Sequence, residues 1–423
     1  MPTFNPLDHL KIRTKFVIFL IVPLTVVLFF SVVGIEQKYA HLKNIENAEY
    51  ATNISIQLAN IVHELQLERG LSAGYLGSQQ TLFKTDLMQQ RLASDAKIKA
   101  VTEKLDQLNA LTSGQNQASM LLPITHQLNA LANIRLAIDA NQADLYFAYY
   151  SKINTTILTK IQSLLSVSVD NIVNRHSASF LSLLWLQEYM GQERGALNGV
   201  FSRQHMSAST LQDISAYVRN QEASLRNFNI IGTTEQQKLL TEKLAQPLNQ
   251  TVIAMRYAAI NQAVRLDLLN QIQLLIGYTG LIHDFKNYVI RGDAFYAKHF
   301  QTNFAQLQAL LQKYRDLSGT SNRILNNLTI IEQTFSQYEQ KLALISKLKS
   351  KGKSVSYIDS AVKTDDIPAT NAFNQLRINI SINSDQDWWA STTSRIGQVQ
   401  QVSDYVLSDI NKRTTQIKQE SLQ

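Results

Sequence analysis

The chain of 423 residues contains no cysteine and few helix breakers, only six prolines and fifteen glycines. Without cysteine there is no disulfide framework and no thiolate metal site, although this absence does not decide the cellular compartment. Leu, Ala, Gln, Asn, Ile and Ser are the most frequent residues, and this mixture favours long helices over strands. A chain of this length has room for two or three helical modules.

Clustered positive charge and catalytic motifs are also missing. The net charge is +7, and the basic residues are spread along the chain. Because the sequence has no Lys/Arg cluster of the kind that binds a phosphate backbone, nucleic acid is not expected as a partner. The sequence has no Gly-rich phosphate loop, no Gly-x-Ser-x-Gly elbow and no His/Glu zinc pattern. We therefore expect no enzyme activity, no metal and no cofactor in this chain.

One long apolar run lies near the N-terminus. Residues 16–35 carry no charge and, at ~1.5 Å per residue, span roughly 30 Å, the hydrocarbon thickness of a bilayer. Lys11, Arg13 and Lys15 precede the run and Glu36 follows it. The positive-inside rule then predicts that residues 1–15 are cytoplasmic, with the bulk of the chain in the periplasm of a bacterium and the anchor in its inner membrane.

Two questions about the chain ends remain open at this point. A cleaved signal peptide is the alternative to an anchor, but Gly34-Ile35-Glu36 is a poor cleavage site. No second apolar run of this length follows, and the chain stops in a polar, helical stretch. We expect a fragment that ends before a second membrane helix and a cytoplasmic output domain for chemotaxis, cyclic-dinucleotide synthesis or kinase activity; a naturally short protein is the alternative.

The region after the apolar run shows helical periodicity throughout. Ile54, Leu58, Ile61, Val62 and Leu65 follow three- and four-residue spacings, and similar stripes recur up to Val264 and again from Leu268. Short connections between helices of roughly 20–35 residues indicate antiparallel bundles. The predicted fold class is all-α: two stacked or tandem antiparallel helical bundles, residues 36–262 and 263–423, on an N-terminal transmembrane helix.

A weak internal repeat contains the candidate site. Glu68-Arg69-Gly70 is echoed by Glu193-Arg194-Gly195, and each repeat has a second glycine four residues after the first, Gly74 and Gly199. Glycines at i and i+4 share one helix face, so two such helices can pack closely. Each glycine costs ~1 kcal/mol of helix propensity, so the pattern indicates that close approach is needed here.

The two arginines in the repeat allow two interpretations. They can form structural ion pairs with Glu64, Glu68 or Glu193, although neighbours at i and i+1 do not face each other on a helix. Alternatively, two guanidinium groups from two helices converge on one small oxyanion, for which the planar, always charged fork of arginine is suited. The residues alone leave both open.

The segment ELQLERGLSAGYLGS (residues 64–78) resembles the signature of the NIT domain, which senses nitrate and nitrite, and QEYMGQERGALNGVF (residues 187–201) resembles a later helix of that family. The resemblance covers roughly residues 40–262. It implies an all-helical domain whose ligand lies where these two helices meet. Carried over by position, it implies Arg69 and Arg194 as ligands of nitrate or nitrite, with Ser72, Tyr75 and Asn198 as surrounding polar contacts.

A second resemblance covers roughly residues 265–423. GYTGLIHDFKNYVIRGD (residues 277–293) and the turn at Asp365-Asp366 look like a helical module of bacterial chemoreceptors and related transducers, for which we assign no ligand. His283, Lys286 and Arg291 either bind an anion or stabilise the bundle through acidic partners. Trp388-Trp389 is expected in the core or in a dimer interface.

These observations predict the sensory region of a transmembrane receptor. Oxyanion binding between Arg69 and Arg194 is expected to shift a helix that continues into the anchor, and the frame for such a shift is expected to be a homodimer. Two alternatives remain: a helical module that binds a periplasmic partner protein, and a passive dimerising stalk. In a stalk, acidic side chains should saturate both arginines.

Overall fold

The computed structural model describes residues 11–111, 122–142, 145–166, 170–203, 205–277, 280–317, 320–378 and 385–422. All regular structure in this part of the chain is helical, which confirms the all-α prediction. In chain order the helices are α1 (Ile12–Gly77), α2 (Lys84–Leu111), α3 (Leu122–Asn129), α4 (Leu131–Asp139), α5 (Tyr146–Leu165), α6 (Asn171–Arg203), α7 (Ala208–Ile231), α8 (Thr234–Leu244), α9 (Pro247–Ile276), α10 (Leu281–Arg291), α11 (Ala294–Arg315), α12 (Asn322–Ser350), α13 (Val355–Ala361), α14 (Ile367–Ile378) and α15 (Asp385–Leu422).

Helix α1 is unbroken over 66 residues. Its apolar first part is the one stretch of the described residues long and apolar enough to cross a membrane, with a mean hydropathy of 3.0 and no buried residue in that window. The hydroxyls in it are satisfied within the helix, because Thr25 donates to the Ile21 carbonyl at 2.9 Å and Ser31 to the Val27 carbonyl at 2.8 Å. The candidate anchor and the first motif therefore lie on one continuous helix.

Beyond the apolar part, α1 packs in a first bundle with α2, α5, α6 and α15. α1 and α6 run parallel. Asp170, just before α6, and Glu49 of α1 both contact the C-terminal end of α15, called its lower end below. Asn198 of α6 and Gly70 of α1 meet near the N-terminal, or upper, end of α15. α15 therefore runs antiparallel to α1 and α6, and its Lys418 forms an ion pair with Glu49 at an Nζ–Oε2 distance of 3.0 Å. The core of this bundle includes Ile54, Leu58, Leu65, Ile157, Phe180, Leu183, Val399, Val402 and Val406.

The end of α9 and helices α10–α14 form a second apolar core, which includes Leu281, Phe285, Phe300, Phe304, Leu311, Leu328 and Phe335. Several of its polar residues have structural partners. Lys286 pairs with Asp359 at 2.7 Å, and the buried Asp284 receives hydrogen bonds from Asn303 at 3.0 Å and faces Nδ1 of His299 at 2.8 Å.

The other two residues singled out in this segment, Arg291 and His283, lie against an aromatic ring. The Arg291 guanidinium lies 5.8 Å from the centroid of the Tyr296 ring, and the exposed His283 contacts the edge of the same ring. Tyr278 and Thr279 of the quoted motif lie outside the described residues. These contacts favour a structural role for the segment, and its resemblance to a receptor module stays a prediction.

Helix α15 packs with the first core, although it follows the second bundle in the chain. Its Ile396, Val399, Val402, Val406 and Ile410 are buried among residues of α1 and α6. Trp388 is fully buried, so this tryptophan belongs to the core of the chain. The division at residues 262 and 263 stays a prediction, but residues 385–422 complete the bundle that begins with α1.

Close contacts at the glycines of α1 lead to a stability prediction. A Cβ on Gly74 would lie 2.4 Å from Nδ2 of Asn198 and 2.6 Å from Cδ2 of Phe83, whereas a Cβ on Gly397 of α15 would meet nothing within 4 Å. Gly74→Ala should therefore destabilise the chain by about 1–3 kcal/mol through overpacking, despite a better helix propensity. Gly397→Ala should be neutral or stabilising, by up to ~1 kcal/mol. Denaturant melts of the two variants check this, and equal effects would contradict it.

Candidate anion-binding site

The two Arg-Gly motifs meet where α1 crosses α6. A Cβ on Gly195 would lie 3.3 Å from the Cα of Gly70 and 3.0 Å from Cε2 of Phe147, so the helices are close to backbone contact at this point. The approach depends on the missing side chains of the glycines. Because each glycine directly follows its arginine, the crossing brings Arg69 and Arg194 to the same level of the bundle.

Arg69 is fully buried, and only some of its hydrogen-bond donors have partners. Its Nη1 donates to Oε1 of Glu188 at 2.6 Å and to the hydroxyl of Ser151 at 2.9 Å. Its Nε and Nη2 have no hydrogen-bond partner among the described residues, and the guanidinium lies 5.2 Å from the centroid of the Phe147 ring. Gly191 makes room for the fork, because a Cβ there would come within 3.3 Å of Nη2. Two nitrogens of Arg69, with three N–H bonds between them, are therefore available as donors.

Arg194 is 1% exposed, and none of the described carboxylates forms an ion pair with it. Its Nη1 donates to the hydroxyl of Thr393 at 3.1 Å, its Nε has no partner, and its guanidinium lies over the Trp389 ring at 4.5 Å from the centroid. Burial, together with the positive charge of Arg69, lowers the pKa of Arg194 to about 9. A buried cation without a counter-charge is a costly arrangement that an anion would relieve.

The acidic residues considered as structural partners are engaged elsewhere. Glu68 pairs with Arg135 at 2.7 Å and accepts a hydrogen bond from the Tyr150 hydroxyl. Glu193 accepts hydrogen bonds from Arg256, and Glu64 from Gln90. The ion pairs predicted by the structural interpretation are therefore not the ones that form.

Glu188 is the actual partner of Arg69, and the sequence reasoning missed it. This fully buried carboxylate also accepts hydrogen bonds from Gln66 at 2.8 Å, Gln192 at 2.9 Å and Asn154 at 3.1 Å. A helical spacing could have revealed it, because Leu184, Glu188, Gly191 and Gly195 recur every three or four residues and share one face of α6.

Together, the three charged groups are unbalanced. Arg69 and Arg194 contribute two positive charges, and Glu188 contributes one negative charge, so the buried group carries one net positive charge. Inside a protein such a charge is normally paired or satisfied by several hydrogen bonds. One monovalent anion between the two guanidinium groups would make this buried group electrically neutral.

The other three predicted site residues lie around the crossing. The side-chain amide of Asn198 donates to the Gly70 carbonyl at 3.0 Å, and its buried Oδ1 has no partner. The hydroxyl of Ser72 is buried without a partner, and Tyr75 belongs to the apolar core. In the described residues no hydrogen bond joins these three side chains to either guanidinium. The crossing thus unites Arg69, Arg194 and Asn198, with Ser72 and Tyr75 farther along α1.

A cavity of ≈ 210 Å³ lies directly beside Phe147 and Gly195. Its volume is that of several water molecules, so it admits a small anion. Phe147 lines this cavity and also lies against the Arg69 guanidinium. The other lining residues include Ala73, Tyr146, Gly199, Arg203, Asp213 and Tyr217.

The family model described as "Nitrate and nitrite sensing" (NIT) matches residues 60–281. This chain belongs to the NIT family. The match confirms the resemblance, and it contains Arg69, Glu188 and Arg194 but not α15. No curated protein matches the chain. A solved structure titled "Structure of the NasR transcription antiterminator" aligns at 14% identity and a TM-score of 0.46, covering 90% of this chain and 83% of the other.

Proposed function

We propose that this chain is the extracytoplasmic sensory region of a bacterial transmembrane receptor and that it binds nitrate or nitrite between Arg69 and Arg194. One observation carries the proposal. In a member of a nitrate- and nitrite-sensing family, Arg194 is buried without a carboxylate partner at the level of Arg69. A passive stalk would be expected to have saturated arginines instead, and this observation therefore argues against one.

The chemistry of the ligand follows from the charges and the free donors. Nε and Nη2 of Arg69 and Nε of Arg194 are buried nitrogens whose N–H groups find no acceptor in the described part of the chain. A planar oxyanion can accept from two forks at once, and each charge-assisted hydrogen bond is worth about 1.5–3 kcal/mol before the costs of binding. The free hydroxyl of Ser72 and the side chains of Tyr75 and Asn198 are proposed as surrounding contacts.

The proposed topology places the site far from the bilayer. Residues 16–35 span the inner membrane, residues 1–15 are cytoplasmic, and the bundles lie in the periplasm. If the bilayer ends near Ile35, Arg69 lies ~50 Å beyond it at ~1.5 Å per residue of α1. Since α1 is unbroken over this distance, a shift of the motif helix can reach the membrane without a flexible link.

Signalling is proposed to be a shift between two arrangements of the bundle. Without ligand, the charges of Arg69 and Arg194 repel each other; with ligand, the anion bridges them and favours the second arrangement of the packed helices. A coupling of ~1–3 kcal/mol between ligand and bundle is sufficient for a signal. A homodimer with paired anchors would carry this shift across the membrane.

A titration of the full chain in detergent micelles tests the proposal. Nitrate, nitrite, chloride, sulfate and acetate are compared by calorimetry and thermal melting. We expect saturable binding of nitrate or nitrite, weakened at least about tenfold by Arg69→Ala and by Arg194→Ala, since each removes charge-assisted hydrogen bonds. Arg226→Ala, at an exposed position, is the matched control and should bind like the wild type. If no anion binds to the wild type, the proposed function is wrong.

A further inference from the structure

Two side chains beside Arg194 come from a helix outside the region that the NIT family model matches. The match ends at residue 281, whereas Trp389 and Thr393 lie on α15. Residues four apart share one helix face, so both point at α6 from the same side. The upper end of α15 also contacts α6 here, because the buried indole N–H of Trp388 donates to the Arg194 carbonyl at 3.0 Å.

Trp389 forms one wall of the site. Its ring lies against the Arg194 guanidinium and contacts the edge of Phe83, with 6.3 Å between ring centroids. The ring occupies the space that a side chain at position 70 would need, because a Cβ on Gly70 would lie 2.5 Å from its Cζ3. The absence of a side chain at Gly70 therefore allows both α15 and α6 to pack closely against α1. A wall of this kind excludes water and strengthens electrostatic contacts behind it.

Among the described residues, Thr393 accepts the one hydrogen bond that the Arg194 side chain donates. A neutral hydroxyl accepts more weakly than an anion does, so an arriving oxyanion competes for the same N–H group. The hydroxyl can then turn and donate to the anion, because Ser and Thr hydroxyls both donate and accept. Anion binding would therefore change the hydrogen-bond partner of Thr393.

We propose that α15 completes the anion site, an inference that rests on the proposed function. Trp389 forms the wall of the site and Thr393 contacts the ligand. The helix α15 moves when the anion binds. The contacts of α15 allow such movement. Several of them are hydrogen bonds between side chains, such as Ser403 with Gln187 and Gln398 with Asn249, which can be exchanged during a small shift. The movement would arrive at Lys418 beside Glu49, the membrane end of the bundle.

Nitrate calorimetry on the full chain in detergent micelles tests the role of Thr393. Thr393→Val keeps the shape and removes the hydroxyl, and it should weaken nitrate binding about two- to tenfold, the range for one neutral hydrogen bond. Thr392→Val is the matched control, because the Thr392 hydroxyl bonds only to carbonyls of its own helix. Wild-type affinity in Thr393→Val would overturn the inference, whereas absence of nitrate binding by the wild type would overturn the proposed function instead.

The movement of α15 can be measured separately by thiol cross-linking. This measurement also tests the inference if Thr393→Val folds poorly. Because the chain has no cysteine, Glu49→Cys with Lys418→Cys introduces two thiols at the lower end of α1 and α15. Nitrate should change the rate at which a bifunctional thiol reagent joins them by about fivefold or more, the lower end of typical site–site couplings. An unchanged rate in a chain that binds nitrate would show that α15 does not respond.

Discussion

Replacing Arg194 by methionine should raise the melting temperature of the ligand-free chain and abolish its stabilisation by nitrate or nitrite. Arg194 is a buried cation that meets a hydroxyl and an aromatic ring instead of a carboxylate. Replacing buried ion pairs by apolar side chains of similar volume is often neutral or stabilises proteins by about 1–4 kcal/mol, and a buried charge without a carboxylate partner should gain at least as readily. Methionine is flexible enough to keep the contact with Trp389. Because the unfolding entropy scales with chain length, the expected rise in melting temperature is roughly 1–2 °C per kcal/mol.

The gain from Arg194→Met should depend on pH in a defined direction. The pKa of Arg194 is about 9 in the fold against an ordinary value of 12.5. Between these values the unfolded chain binds more protons than the folded chain, so the free energy of unfolding of the wild type rises with pH. The variant lacks this group. The difference between their melting temperatures should therefore shrink from about pH 8 to about pH 10.

Arg135→Met is the matched control for this prediction. Arg135 pairs with the buried Glu68 at 2.7 Å and with Asp95 at 2.7 Å, so its removal leaves a buried carboxylate without its cation. We expect a loss of ~3–5 kcal/mol in stability, with the nitrate-induced shift retained. If Arg194→Met destabilised the ligand-free chain as Arg135→Met does, Arg194 would be a structural arginine.

Replacing Glu188 by glutamine should change which anion the site prefers. The carboxylate holds the net charge of the buried group at one, and its removal raises the charge to two. The ligand-free chain should lose about 3–5 kcal/mol, because Arg69 is then left without its counter-charge. Nitrate should bind more tightly, and sulfate should become a competitor, because two positive charges favour a dianion.

Competition calorimetry with nitrate and sulfate on full-length Glu188→Gln checks this expectation. Glu193→Gln is the control: it makes the same substitution on the same helix, at a buried carboxylate that accepts from Arg256 and Gln221. This control should also lose stability but keep the wild-type preference for nitrate. A wild-type preference in Glu188→Gln would mean that shape, rather than charge, sets the selectivity.

Local patterns allowed much of the structure and part of the site to be predicted. The spacing of apolar residues indicated helices, since a helix face is set by residues three and four apart. The uncharged run at residues 16–35 indicated a membrane helix for the same local reason. The Arg-Gly repeat identified Arg69 and Arg194 and explained why their helices approach closely. Each of these features depends on residues within a few helical turns of one another, so the sequence alone shows it.

The partners of the two arginines were decided only by the tertiary structure. Arg69 pairs with Glu188, 119 residues away, instead of a nearby acid, and Arg194 meets Thr393 and Trp389. The last helix packs with the first core even though a second bundle lies between them in the chain. Partner choice depends on the order and vertical register of packed helices. Helical periodicity shows which face of each helix is buried, but it does not show which other helix covers that face.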